Sequence, residues 1–118
     1  MPGPAPITVV ETPEFAATAR KLLSEQERIV LVDYLAHNPT AGDLVPGTGG
    51  VRKLRWAIEG RGKRGGARVI YFYHSADIPL FALTVYAKNE RADLSQGDRN
   101  DFRRLTKVLA ESYGRTKR

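Results

Sequence analysis

Cysteine is absent from this sequence, and histidine occurs only twice, at His37 and His74. There is therefore no disulfide framework, no thiolate nucleophile and no zinc cluster of the usual cysteine type. Two histidines alone cannot hold a metal ion, and no tight carboxylate cluster accompanies them. No metal and no other cofactor is expected. No apolar run approaches the ~20 residues that a membrane span needs. The first residues, MPGPAP, lack the charged-then-apolar pattern of an export signal. The expectation is a soluble, cytoplasmic protein with no membrane partner.

What the chain does have is positive charge in one place. Of its 19 lysines and arginines, seven lie between Val51 and Arg68: Arg52, Lys53, Arg55, Arg61, Lys63, Arg64 and Arg68. That stretch holds one acid, Glu59, against 13 in the chain, so bases and acids balance everywhere else. The whole formal surplus of +6 belongs to VRKLRWAIEGRGKRGGAR. So local a field is a docking surface for a polyanion, since each neutralised phosphate releases condensed counterions. With 118 residues, 42% of them hydrophobic, the chain fits one globular domain with a single core.

Residues 1–6, with three prolines and a glycine, read as a flexible lead-in. ITVVE at 7–11 is a β-branched strand. Thr12-Pro13 opens a helix with a cap residue followed by proline, and Phe15, Ala19, Leu22 and Leu23 follow at helical spacing. Ser24 with Glu27 forms a capping box for a second helix, through Ile29, Val30, Val32 and Leu35, which must stop near Asn38-Pro39. Together they predict a helical hairpin on one face of a sheet. TAGDLVPGTGG at 40–50 is a Gly/Pro-rich connector. As a phosphate cradle it lacks both Gly-Lys-Ser/Thr and a following helix.

Three strands follow, at 51–58, 68–74 and 80–87, joined by GRGKRGG and the HSADIP turn. Their succession predicts an antiparallel meander, whose last two strands are apolar on both faces and so largely covered. In the first strand, alternation puts Leu54, Trp56 and Ile58 on one face, Lys53 and Arg55 on the other. Ser95 and Asp98 begin a final helix with an apolar stripe of Phe102, Leu105, Val108 and Leu109. Arg99, Arg103 and Lys107 line another face, Gly114 is a natural stop, and residues 115–118 form a basic tail. The fold class is α+β: an N-terminal strand plus a three-strand meander in an antiparallel sheet, a helical hairpin on one face and a C-terminal helix. Residues 7–114 form its single domain.

Several side chains suit chemistry on a phosphate. Lys53, Arg55 and, across an antiparallel hairpin, Arg68 would form three like charges on one sheet face. Such a face is either an anion site or a solvated exterior. Arg61, Lys63 and Arg64 lie in a loop that cannot bury them, and either grip a phosphate backbone or form a polar hairpin tip. Tyr86, Lys88 and Asn89 leave the last strand together, where they can position an RNA phosphate or stack a base. A strand tyrosine is also an ordinary packing residue. His74, beside a turn and with no evident partner, reads as structural or surface histidine.

The segments GDLVPGTGGVRKLRW, GKRGGARVIYFYH and LFALTVYAKNERADLS, in unbroken order over roughly residues 42–113, resemble the RelE/ParE toxin superfamily. The likeness is greatest to the HigB-like branch of RelE-type toxins. It implies a ribosome-dependent mRNA interferase, a nuclease that inhibits translation by cutting mRNA in the ribosomal A site. A small antitoxin, often of the helix-turn-helix HigA-like kind, would neutralise it. By motif, the catalytic basic residues fall on Lys53, Arg55, Arg68 and Lys88. Arg61, Lys63, Arg64, Tyr86 and Asn89 are left to bind RNA. Two positions depart from the RelE pattern: Asn89 where a second arginine is expected, and Ser95 where RelE has its carboxy-terminal tyrosine. The alternatives are a ParE-like gyrase poison, which would not need clustered cations on the sheet, and a non-catalytic nucleic-acid-binding module.

Overall fold

The computed structural model describes residues 5–58, 66–90 and 93–115, with side chains as far as Tyr113. The loop cations Arg61, Lys63 and Arg64, most of the lead-in and most of the basic tail lie outside the described residues. Within them the order is β1 (Val9–Glu11), α1 (Pro13–Leu22), α2 (Glu25–His37), β2 (Asp43–Leu44), β3 (Val51–Trp56), β4 (Ala67–Phe72), β5 (Leu80–Ala87) and α3 (Gln96–Arg115). The class is α+β, and none of the described helices is long and apolar enough to cross a membrane.

Local signals set the helix starts. Thr12 Oγ1 accepts the Phe15 N–H, and proline follows as the first helical residue. At Ser24 the capping box is complete: Ser24 Oγ accepts from Glu27 N at 3.0 Å, and Glu27 Oε1 accepts from Ser24 N at 2.8 Å. A cap of this kind is worth ~1 kcal/mol. Ser95 and Asp98 repeat the arrangement ahead of α3, with both bonds at 3.0 Å. Helix α2 stops at His37, one residue before Asn38-Pro39, as the restriction ahead of proline requires.

The strands lie in the order β1-β5-β4-β3-β2. The meander is antiparallel as expected, but the sheet is mixed, because β1 runs parallel to β5. The helical hairpin returns the chain to the far side of the meander, so β1 is left to border the last strand instead of the first. The Gly/Pro-rich segment is also more than a connector. Its Asp43 and Leu44 add a short edge strand to β3, and Thr48 is fully buried. A β-bulge interrupts β4–β5 pairing: Ile70 opposes Thr84, Tyr71 opposes Ala82, and Leu83 is passed over.

Two apolar layers sandwich this sheet. On one face Phe15, Ala19, Leu31 and Leu35 of the hairpin pack with Leu54, Val69, Tyr71 and Val85. On the other, Val51, Ile70, Phe72, Phe81, Leu83 and Tyr86 meet Phe102, Leu109 and Ala110 of α3. β4 and β5 are therefore covered on both faces, as their composition predicted. The expected stripe of α3 is displaced. Leu105 and Val108 are exposed, while Thr106 is the buried residue. Its hydroxyl bonds the Thr48 carbonyl at 2.8 Å, so the helix seats on the 45–50 turn through a polar contact. In the same way Ile29 and Val30 of α2 face outward, and Leu31 with Leu35 supplies its core contact.

Candidate nucleic-acid interface

Antiparallel register places the basic strand residues. Arg55 of β3 is the Cα partner of Arg68 of β4, and Arg68 is the partner of Tyr86 of β5. The three form one row across the inner strands near one end of the sheet, on the α3 side. The bulge matters to this row. Plain alternation from Phe81 and Leu83 would bring Val85 to that face, but the passed-over residue brings Tyr86 instead. Lys53 shares the face two residues before Arg55 and opposes Ile70. Lys88 lies just beyond the row, its backbone N–H bonded to the Gly66 carbonyl at 3.1 Å. Lys53 and Arg55, which alternation puts on one face, thus share it with Arg68, and Lys88 follows in the turn after β5.

Their environments differ. Arg55 is exposed, Lys53 and Arg68 are half-buried, and Lys88 and Asn89 are exposed in the turn after β5. Tyr86 is only 5% exposed and packs in the α3-side cluster. Its ring therefore forms part of the α3-side layer in this conformation. His74 is exposed with its ring 6.1 Å from that of Phe72, away from the row. Ser95 serves as the α3 cap, which is a structural use for a residue at the position of the RelE tyrosine.

Below the row the sheet edge and the start of α3 enclose a cleft of about 240 Å3. Lys53, Arg55 and Arg99 line it together with Asp43 and Asp93, and Leu44, Val45 and Pro46 add an apolar margin. Asp43 is the cross-strand partner of Lys53. Asp93 makes the direct contact, with Lys53 Nζ 3.1 Å from its Oδ1 and Arg99 Nη2 3.7 Å from its Oδ2. The Leu94 N–H also donates to Oδ1, at 2.8 Å. This backbone donor, and then Lys53, holds the Asp93 carboxyl below the usual carboxylate range. Asp93 and Arg99 are the site residues that sequence reasoning missed. In the sequence Arg99 stands with Arg103 and Lys107 on a basic face of the last helix, and no spacing links Asp93 to a strand 40 residues earlier.

A larger hollow, about 660 Å3, lies by β1, α1 and α2, lined in part by Glu11, Arg20 and Arg28. Its central cation is already engaged: Arg28 binds both Glu11 oxygens at 2.8 Å and also Glu25. The hydrogen bond to Glu25, followed by the bond and charge of Glu11, raises the guanidinium pKa above its ordinary value. That network ties α2 to β1 and engages the central cation of the hollow, with Arg20 exposed at its margin.

The geometry is that of an open basic sheet face, with a cross-strand arginine pair near the β3–β4 hairpin end and a small charged cleft beside it. Residues 7–116, nearly the whole chain, match the family model described as the RelE toxin of the RelE/RelB toxin-antitoxin system. The protein belongs to the RelE toxin family.

Proposed function

We propose that this toxin is a ribosome-dependent mRNA endoribonuclease of the HigB-like branch. It acts in the cytoplasm, and a cognate HigA-like helix-turn-helix antitoxin holds it in check. RelE toxins are generally ribonucleases, and membership implies a cognate antitoxin. The observation that carries the reading is the Arg55–Arg68 pair, with Lys53 on the same face. Cations held opposite one another destabilise a sheet, and a phosphodiester between them relieves the repulsion.

The reaction this arrangement suits is attack of an RNA 2′-hydroxyl on the adjacent phosphorus. The hydroxyl proton goes to a base as the O–P bond forms. The bond to the 5′-oxygen breaks, and that oxygen takes a proton from an acid. The products are a 2′,3′-cyclic phosphate and a 5′-hydroxyl. Arg55 and Arg68 would bear the charge of the phosphorane through paired donors. Arginine is too basic to accept the proton, so Lys53 and Lys88 are the candidates for proton transfer, and the reaction is metal-independent. Asn89, Tyr86 and the loop cations Arg61, Lys63 and Arg64 would hold the flanking RNA.

Primer extension on mRNA in a reconstituted translation system tests this. Wild-type protein should cut within the codon in the ribosomal A site, and Arg68→Ala should lose at least tenfold in rate while remaining folded. Full-rate cutting by Arg68→Ala removes that residue from the mechanism. Gyrase-dependent DNA breaks without mRNA cleavage establish the gyrase poison instead. Salt-sensitive RNA binding without cleavage establishes the binding module.

A further inference from the structure

The cleft beside the basic row contains an anion supplied by the protein itself. Asp93 reaches the two cations with different oxygens, Oδ1 to Lys53 and Oδ2 to Arg99. The two non-bridging oxygens of a phosphodiester can bridge the same pair in the same way. Arg55, the exposed member of the cross-strand arginine pair, lines this cleft too. The cleft is therefore continuous with the face proposed to hold the scissile phosphate. Asp93 is half-exposed, its side chain at 50%, so it can leave without opening the core.

We infer that the Lys53–Arg55–Arg99 cleft is a second phosphate subsite, and that the Asp93 carboxylate occupies it until a nucleic-acid phosphate displaces it. This rests on the reading of the basic face as an RNA site and adds Arg99 to it. Three cations against Asp43 and Asp93 leave the closed cleft nearly balanced in charge. Displacing Asp93 exposes two further cations. RNA binding then trades one internal anion for an external one, so Asp93 weakens binding of every polyanion alike. It also keeps Lys53 and Arg99 ordered when the site is empty. Because Asp93 immediately precedes Leu94 and the α3 cap, the exchange can pass from the cleft to the start of the helix.

The test uses the full chain and a short 2′-O-methyl oligonucleotide, which cannot be cleaved, with affinity measured over a series of salt concentrations. Asp93→Asn keeps an oxygen for the Leu94 N–H and removes only the charge. It should bind about two- to fivefold more tightly than wild type, the range expected for releasing exposed ion pairs. The slope of log affinity on log salt should stay close to that of wild type, because the same phosphates are neutralised once Asp93 has been displaced. Arg99→Gln should weaken binding and flatten the slope by ~0.7, the loss of one phosphate contact, and Arg99→Lys should restore most of it. In Asp93→Asn/Arg99→Gln the gain from Asp93→Asn should fall by about half.

An unchanged slope in Arg99→Gln overturns the inference, as does weaker binding by Asp93→Asn. Failure of wild-type protein to bind the oligonucleotide at low salt overturns it as well. Cleavage of ribosome-bound mRNA is scored separately. Cleavage with an unchanged Arg99→Gln slope sinks the subsite alone, and a flattened slope without cleavage sinks the nuclease reading alone. Should Asp93→Asn not fold, the Arg99 variants still decide, because among the described residues that side chain makes one long contact, with Asp93.

Discussion

Arg55 and Arg68 face each other as Cα partners across the β3–β4 ladder. Directly opposed like charges cost a sheet roughly 0.2–1 kcal/mol, a cost that the other cross-strand pairs of the ladder avoid. Threonine at either position keeps β-propensity and removes the repulsion. Arg55→Thr or Arg68→Thr should therefore raise the melting temperature by about 1–4 °C, from ~0.5 kcal/mol in a chain of this size, while lowering RNA affinity and cleavage. A scanning-calorimetry trace and a binding isotherm moving in opposite directions confirm the conflict. Lower stability in both variants would mean that the guanidinium groups hold the fold together.

Tyr71 is fully buried, and its hydroxyl makes two bonds at 2.8 Å: it accepts from Gly42 N and donates to the Pro39 carbonyl. It pins the end of the hairpin connection to the sheet just before β2. A side chain on Gly42 would stand 3.0 Å from that hydroxyl and from the Lys53 carbonyl, so the chain passes here with no room to spare. Tyr71→Phe leaves the Gly42 N–H without its partner and should cost ~1–3 kcal/mol in urea unfolding.

The same hydroxyl gives a pH signature. Burial raises the Tyr71 pKa above the ordinary tyrosine value. The folded state thus holds this proton more tightly than the unfolded chain. Stability from Tyr71 is complete below pH ~10 and is lost as pH rises from there through the folded pKa. The stability gap between wild type and Tyr71→Phe should therefore shrink above pH ~10. A gap that stays constant to pH 11 would contradict the burial argument.

Much of this molecule was legible in the residues themselves. The Ser24/Glu27 box, the Asn38-Pro39 stop and the Lys53/Arg55 alternation are local signals, and tertiary packing left them intact. The parallel placement of β1, the Asp43–Leu44 edge strand and the Thr48–Thr106 contact are not local. They depend on which elements become neighbours after the chain has turned back on itself. Leu105 and Val108 show the failure most plainly. Helical spacing runs an apolar stripe through them, but the turn below α3 presents a carbonyl, and a threonine answers it. The Asp93 pair with Lys53 was hidden for the same reason, since no spacing rule predicts a contact across 40 residues.

Acid should report on that pair. The Asp93 carboxyl is held below its ordinary pKa by the Leu94 N–H and by Lys53. A depressed carboxylate pKa contributes stability that is present above pH ~4 and is lost as pH falls through the folded value. Asp93→Asn should therefore lose less stability than wild type between pH 5 and about pH 3. Part of the loss will remain, because Glu25 is lowered in the same way by Arg28. Denaturant midpoints at the two pH values measure the difference, and identical losses would show that Asp93 is not engaged in the folded protein.

The seat of α3 gives the strongest prediction of folding coupled to function. Gly49 has φ +77°, a left-handed conformation, and a Cβ there would lie 2.5 Å from Thr106 Oγ1. Gly49→Ala therefore strains the backbone and pushes on the hydroxyl that bonds the Thr48 carbonyl. Thr106→Val removes that hydroxyl with little change of shape and should cost ~1–2 kcal/mol. Gly49→Ala should cost more, ~2–4 kcal/mol, because strain and displacement add. Arg99 lies two turns before Thr106, on the same side of the helix, so loosening the seat should also loosen the cleft. Both variants should then bind RNA with a salt slope unlike that of wild type, at temperatures where they remain folded. A Gly49→Ala protein as stable as wild type would show that the 45–50 turn yields freely, and the helix would need some other anchor.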